Sequence, residues 1–353
     1  QVNALSSDAY PTETENLDSC NSINSENISQ ILRGVSVLAG GGGGSYTEAL
    51  ENYHSRYTDE VEVRDLDDFS EEDTIATVFG LGPVDHETED SLAIAQESVE
   101  MYESEYGQID GIILGELGPD LIVEAVAIAN RLDIPVVDAD VAGMRAVPSI
   151  HNEIIEEAGR SRTPLVATNG EDSAYIEAGT GQEIEQEIRE LTDGDIWYIT
   201  GYANTADEYS NSVPQGWLDE CISFEESQIE RIGQGTLESA EYEEFDGHTV
   251  GRMIIQGEET VEIYFQNENL LAYIDGEEIA RAPDTISVIN NNRIGVNNGH
   301  IPEEGEQLEV YQIRHGFWED TSCFNLETQH IDADSDTVNF QENTEFDIIG
   351  EQE

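Results

Sequence analysis

The chemistry available to this chain is concentrated in two places. The first is a run of five glycines, Gly40 to Gly44, followed by Ser45 in the stretch "VSVLAGGGGGSYTEAL". Glycines lack side chains, so a ligand can approach their main-chain N–H groups closely. A loop that opens a helix also carries the positive end of the helix dipole, which suits a carbonyl oxygen, a carboxylate or an incipient oxyanion. Gly41, Gly42, Gly43 and Gly44 are therefore the candidate ligand-binding positions. The second place is a set of polar residues that end apolar segments: Glu116, Asp138, Asp140 and Asn169. Acids gathered at one edge are costly unless something pairs with them, and Arg145 in "AGMRAVP" is the nearest cation in sequence. Glu116, Asp138, Asp140 and Arg145 form the candidate catalytic set. Asp138 and Asp140 are also candidates for holding a divalent metal, because oxygen ligands suit hard cations. The competing structural role for the acids is helix capping.

Three other readings of the glycine run fare worse. A phosphate loop needs a Gly-Lys-Ser/Thr sequence after a strand, and the Lys is missing. A dinucleotide fingerprint also follows a strand; Asp65 lies about the right ~20 residues on, but Ser45 occupies the third glycine position. A flexible linker would not have apolar, periodic segments on both sides.

The elements that must position these residues follow from periodicity. Ser25 is the expected N-cap of a helix whose apolar residues are Ile28, Ile31, Leu32, Val35 and Leu38. "SYTEALENYHSRY" reads as a second helix, and "VEVRDL" and "TIATVFG" as strands. "IDGIILGEL" is continuously apolar, as expected for a strand buried on both faces. Pro119 suits the first turn of a helix over "PDLIVEAVAIANRLD". "IPVVDAD" is the next strand, Pro148 opens a helix over "PSIHNEIIEEAG", and "TPLVATN" closes a β-α-β-α-β series. The expected fold is therefore an N-terminal parallel-sheet α/β domain over 25–170. After it come a helical connector, including "PQGWLDECISFEESQIERIG", and a β-rich C-terminal α+β domain over 171–325. Residues 1–24 are expected to be a disordered acidic extension and 326–353 an acidic tail that docks in part. Asn267 and Glu268 interrupt the apolar strand "FQNENLL", which makes them candidates for closing a pocket between domains; the alternative is an exposed turn. His151, His248, His300 and His315 show no metal-ligand spacing.

Composition narrows the partners. The 353 residues carry 78 acids against 13 basic residues, all of them Arg, for a net charge of −65. Hydrophobic content is 38%, so a normal core sits under a very acidic surface. Molar salt suits such a surface, since the Debye length there is only about 3 Å. A high-salt cytosol is the expected location, although the start at Gln1 leaves a removed export signal open. Nucleic acid is a poor partner without a basic patch. No apolar run approaches the ~20 residues of a membrane span. Cys20, Cys221 and Cys323 make no metal or disulfide framework.

The motifs "LAGGGGGS", "FGLGPV", "GELGPD", "VVDADVAGMRAVP", "GHTVG", "FQNENLLA" and "APDTISVI" occur in the order found in the S-methyl-thiohydantoin desulfurase family, which this chain resembles from about residue 25 to 320. The resemblance implies two domains, an N-terminal α/β domain and a β-rich C-terminal one. It also implies a small-molecule ligand, a homo-oligomer, and an association with hydantoinase- or oxoprolinase-type proteins. The implied chemistry is hydrolytic removal of methanethiol from an S-methylated thiohydantoin. In the family's Gly-Arg-Ala-Phe-Pro-Glu run, Arg145, Ala146 and Pro148 match, whereas Val147 replaces the aromatic residue and Ser149 the acid. Loss of that acid fits a binding module without turnover. The polar N-terminal extension fits a surface or assembly protein.

Overall fold

The structure, a computed structural model, describes residues 21–56, 60–81, 91–150, 153–191, 196–222, 229–245, 248–318, 324, 331–333, 337–340 and 344–348. Two large sheets organise it. The first contains β1 (Ser22–Ile23), β2 (Val61–Arg64), β3 (Thr74–Leu81), β4 (Gly111–Leu114), β5 (Val136–Asp140), β6 (Leu165–Thr168), β7 (Ser173–Ile176) and β8 (Trp197–Thr205). Its order is β1-β2-β5-β4-β3-β8-β6-β7. The four strands β2, β5, β4 and β3 are parallel neighbours, while β1, β8, β6 and β7 pair antiparallel.

The sheet is thus mixed rather than uniformly parallel. "TPLVATN" forms β6 as a strand, but β8 stands between it and β3. The sheet also continues past residue 170 to Thr205, so a boundary at 170 falls inside it. Residues 22 and 23 pair with β2 through Ser22↔Glu62 and Ile23↔Val61, which anchors the end of the N-terminal extension; residues 1–20 lie outside the described residues.

The helices are α1 (Ile28–Leu38), α2 (Tyr46–Arg56), α3 (Ser91–Tyr106), α4 (Pro119–Leu132), α5 (Ile154–Glu157), α6 (Gly181–Leu191), α7 (Ala206–Ser210) and α8 (Trp217–Ile222). In α1 the stripe Ile28, Ile31, Leu32, Val35 and Leu38 is fully buried, as its spacing requires. Its N-cap is Asn27 rather than Ser25. Pro119 opens α4, which ends at Asp133 in the left-handed conformation (φ 57°). The helix expected from Pro148 is one turn, α5, because residues 141–149 are held as an irregular loop by side chains described below.

The second sheet contains β9 (Ile229–Phe245), β10 (His248–Gln256), β11 (Thr260–Gln266), β12 (Glu268–Ile274), β13 (Glu277–Arg281), β14 (Thr285–Asn290) and β15 (Gln307–Ile313), in the order β13-β12-β11-β10-β9-β15-β14, all antiparallel. "QIERIG", read as helical from sequence, instead leads into β9. The first half of that strand pairs with β15 and the second with β10. Its charges form cross-strand ion pairs, Arg231 with Glu309 (2.9 Å) and Glu230 with Arg314 (2.9 Å), so it lacks the apolar alternation that betrays a strand. The C-terminal segment contributes a third sheet, β16 (Ile331–Ala333), β17 (Thr337–Phe340) and β18 (Thr344–Asp347). Its Val338, Phe340 and Phe346 join the core that also holds Tyr264, Leu270 and Trp318. No described helix is long and apolar enough to cross a membrane.

Candidate functional site between the two domains

The glycine loop connects α1 to α2, and it is packed on several sides by protein. Gly40, Gly41, Gly43 and Gly44 have φ of 61°, 103°, 65° and 93°, a region that favours glycine. A β-carbon at Gly43 would fall 2.4 Å from Gly118 Cα, and one at Gly44 would fall 1.8 Å from Asp120 Oδ2. The second domain grips the loop's carbonyls. Asn269 N–H donates to Gly40 O (2.7 Å), Asn298 N–H to Gly41 O (2.8 Å), and the Asn297 amide to Gly41 O (3.2 Å) and Gly44 O (3.1 Å). The loop is therefore a close-packed joint between domains. Asp120, which follows Pro119 on α4, accepts from Ser45 N–H at the start of α2; burial and the nearby Glu48 push its carboxyl up to about 6.

The strand-end acids separate into two groups. Asp140 is fully buried, and its carboxylate accepts from the N–H groups of Ala142 (3.0 Å), Gly143 (2.7 Å) and Met144 (2.9 Å). This shapes the turn before Arg145, in which Met144 has φ 61°. Burial pushes the Asp140 carboxyl up to about 7 against the pull of those donors. Asp138 accepts from Leu218 N–H (2.9 Å) at the first turn of α8, and burial raises it to about 6. Both acids are committed to main-chain donors, and among the described residues no group of three or more His, Cys, Asp or Glu is arranged to hold a metal. Asn169 is likewise a turn residue, accepting from Glu171 and Asp172 N–H (3.0 and 2.8 Å).

Glu116 and Arg145 belong to a different constellation. Arg145 is fully buried and turns away from Asp138 and Asp140. Its Nε donates to Ala146 O (2.9 Å), and its Nη1 to the carbonyls of Pro283 and Asp284, the latter at 3.4 Å. Nη2 is buried with no hydrogen-bond partner. The charges acting most on the guanidinium are Glu268, Asp284 and Glu116; burial outweighs them and lowers it to about 10. Glu116, half-buried just past β4, accepts from Val147 N–H (2.8 Å). Burial raises its carboxyl to about 7, with Asp140 adding to the rise and the Val147 bond and Arg145 opposing it.

The second domain supplies Glu268 and His315. Asn267 (φ 56°) alone separates β11 from β12, where Gln266 pairs with Glu268. The tight turn is tied by Thr249 N–H to Asn267 Oδ1 (2.9 Å) and by the Asn298 amide to Asn267 O (2.7 Å). It is not an exposed turn: Glu268 is only 2% exposed and Asn269 is fully buried. Glu268 Oε2 has no hydrogen-bond partner. Burial, reinforced by Glu116, holds its carboxyl well above the usual range, with Arg145 opposing. His315, stacked on Phe317, has a buried Nε2 without a partner. Burial and Arg145 lower it to about 4, so the ring is neutral at ordinary pH.

Sequence reasoning missed His315 because nothing in its neighbourhood marks a ligand. Ser149 donates to the Glu185 carboxylate of α6, which Arg189 also holds (2.7 Å). A carboxylate thus lies next to position 149 although the residue there is a serine. His151 and Cys20 and Cys323 lie outside the described residues; Cys221 is buried and free. His248 Nδ1 meets the Asn267 amide (3.1 Å), and His300 pairs with Glu48 (3.4 Å); neither joins this group.

A mixed α/β domain and an antiparallel β domain that share one buried, charged cluster define a two-domain protein. Comparison with known proteins specifies the class further. The chain belongs to the S-Me-THD-like family, the S-methyl-thiohydantoin desulfurase-like proteins: residues 26–177 match the model of its N-terminal domain and 162–318 that of its C-terminal domain. A crystal structure of a protein from Chromobacterium violaceum has the same fold, with a TM-score of 0.69 and 19% identity over 86% of this chain and 94% of that one. No curated protein matches the chain.

Proposed function

We propose that the chain is a hydrolase that attacks a cyclic amide or thioimidate carbon, such as that of an S-methylated thiohydantoin, with water. The observation that carries this reading is that two acids with raised carboxyls, Glu116 and Glu268, act on the buried Arg145, whose Nη2 has no hydrogen-bond partner. A base works best with a pKa near the operating pH, and Glu116 at about 7 has the character to take a proton from water. Arg145 offers positive charge to the heteroatom that gains electron density on attack. Glu268, whose carboxyl burial raises, is the group assigned to return a proton to the departing sulfur. Water's oxygen forms the new C–O bond, the C–S bond breaks, and methanethiol leaves with the proton. Titratable groups whose surroundings shift them differently are the usual basis of such acid–base division. In this reading Asp138 and Asp140 hold α8 and the Arg145 turn. The glycine loop seats Glu268.

The test is an assay of the purified protein in molar salt against a panel of S-methyl-thiohydantoins, thiohydantoins and hydantoins, following thiol release. Turnover abolished by Glu116→Gln supports the proposal. Ligand-induced melting shifts without turnover of any panel member would instead assign the chain as a binding module, the alternative that Ser149 raises.

A further inference from the structure

The family models account for the chain only to residue 318, yet the guanidinium at the centre of the site is covered by a residue beyond that point. The Phe324 ring lies with its centroid 4.7 Å from Arg145 Cζ, is 8% exposed, and meets Trp318 edge-on with centroids 5.9 Å apart. The same C-terminal region is fixed by Phe346, which packs on Tyr264 and under Arg252.

A guanidinium has five N–H donors in a plane. Here Nε–H is taken by Ala146 O, and Nη1 by the Pro283 and Asp284 carbonyls. Carboxylates are recognised through two parallel N–H bonds from neighbouring nitrogens, and either such edge would need Nε or Nη1. Only Nη2 remains.

We propose that Phe324 is a positioning residue, supplied by the C-terminal extension, that fixes Arg145 as a donor to a single acceptor atom such as a ring carbonyl oxygen, and not to a carboxylate. Its ring covers a face of the guanidinium and leaves the Nη2 corner to the ligand. The proposal rests on Arg145 belonging to the ligand site proposed above, but not on turnover.

Two measurements on the full chain in molar salt test it. The first uses phenylglyoxal, which modifies accessible guanidiniums, with modification mapped by mass spectrometry. Arg145 should resist in the wild type while the half-exposed Arg314 reacts. Phe324→Ala should make Arg145 react, and Phe324→Tyr should restore resistance. Should Phe324→Ala not fold, Phe324→Leu replaces it. Arg145 reacting as fast as Arg314 in the wild type, or staying resistant in a folded Phe324→Ala protein, overturns the proposal.

The second measurement is calorimetric binding of hydantoin and of hydantoin-5-acetic acid. The added carboxylate should gain less than about threefold in affinity, and Phe324→Leu should weaken hydantoin by about tenfold, the scale of a lost cation–π contact, with melting unchanged. A tenfold preference for the carboxylate would overturn the proposal. If neither probe binds while the modification pattern holds, the positioning role stands and the hydantoin reading falls.

Discussion

The Glu268 carboxyl rests on the α-carbon of Gly42: a β-carbon there would fall 1.9 Å from Oε1 and 2.7 Å from Cδ. Gly42 lies outside the left-handed region that its neighbours Gly41 and Gly43 occupy, so its backbone accepts alanine and the side chain opposite must move. Gly42→Ala should therefore displace Glu268 and abolish ligand binding or turnover with a modest loss of melting temperature. Gly43→Ala meets the main chain of Gly118 at positive φ and should cost about 2 kcal/mol or more in stability. Melting curves and ligand titration of both variants check this, and equal melting losses would contradict the different packing of the two positions.

Arg145 points toward the second domain, away from Asp138 and Asp140. Asp140→Asn should therefore not rescue Arg145→Ala, and the melting effects should add within about 0.5 kcal/mol. Arg145→Ala should also lower affinity or turnover beyond its effect on folding, by roughly 1.5–3 kcal/mol for a lost charge-assisted bond. A double-mutant cycle read by both melting and activity gives the answer. Strong rescue would restore the idea that the arginine exists to neutralise the acids.

Glu116, at about 7, and Asp140, at about 7, both hold their protons more tightly folded than unfolded. Between the unfolded carboxylate range and pH 7 the native state binds more protons, so stability falls as pH rises. Melting temperature in constant molar salt should decline from pH 5 to 8, about where ordinary carboxylates are already ionised, and Glu116→Gln should flatten the slope. Activity should instead rise near pH 7 as Glu116 ionises, and the neutral His315 should leave no mark there. A profile whose rising limb survives Glu116→Gln would remove Glu116 as the base.

A charge of −65 with no lysine predicts that salt sets stability. Raising KCl from about 0.1 M to about 2 M screens carboxylate repulsion almost completely and should raise the melting temperature steeply. An unchanged melting temperature across that range would reject adaptation to molar salt.

Much of the frame was legible because burial imposes periodicity. The stripe of α1, the apolar β4 and the proline-initiated α4 each follow from one face or both being covered. Glu116 was legible as a polar residue at a strand end, and Arg145 as the cation nearest in sequence to the strand-end acids. What the sequence hid depends on contacts between distant segments. β9 is disguised by charges satisfied across strands. Asp140 looks catalytic until the three amides of its own turn are seen around it. Glu268 and His315 reach the cluster only through the docking of the second domain, and Phe324 only through the C-terminal segment.

The asparagine grip on the glycine loop also governs the order in which the molecule is made. Gly44 accepts from Asn297, a partner 253 residues later in the chain. Contacts of such separation form late and slowly. During synthesis the first sheet leaves the ribosome with its glycine loop ungripped and with Glu116 and Arg145 lacking the residues that enclose them. The charged cluster is thus enclosed only once the second domain has been made.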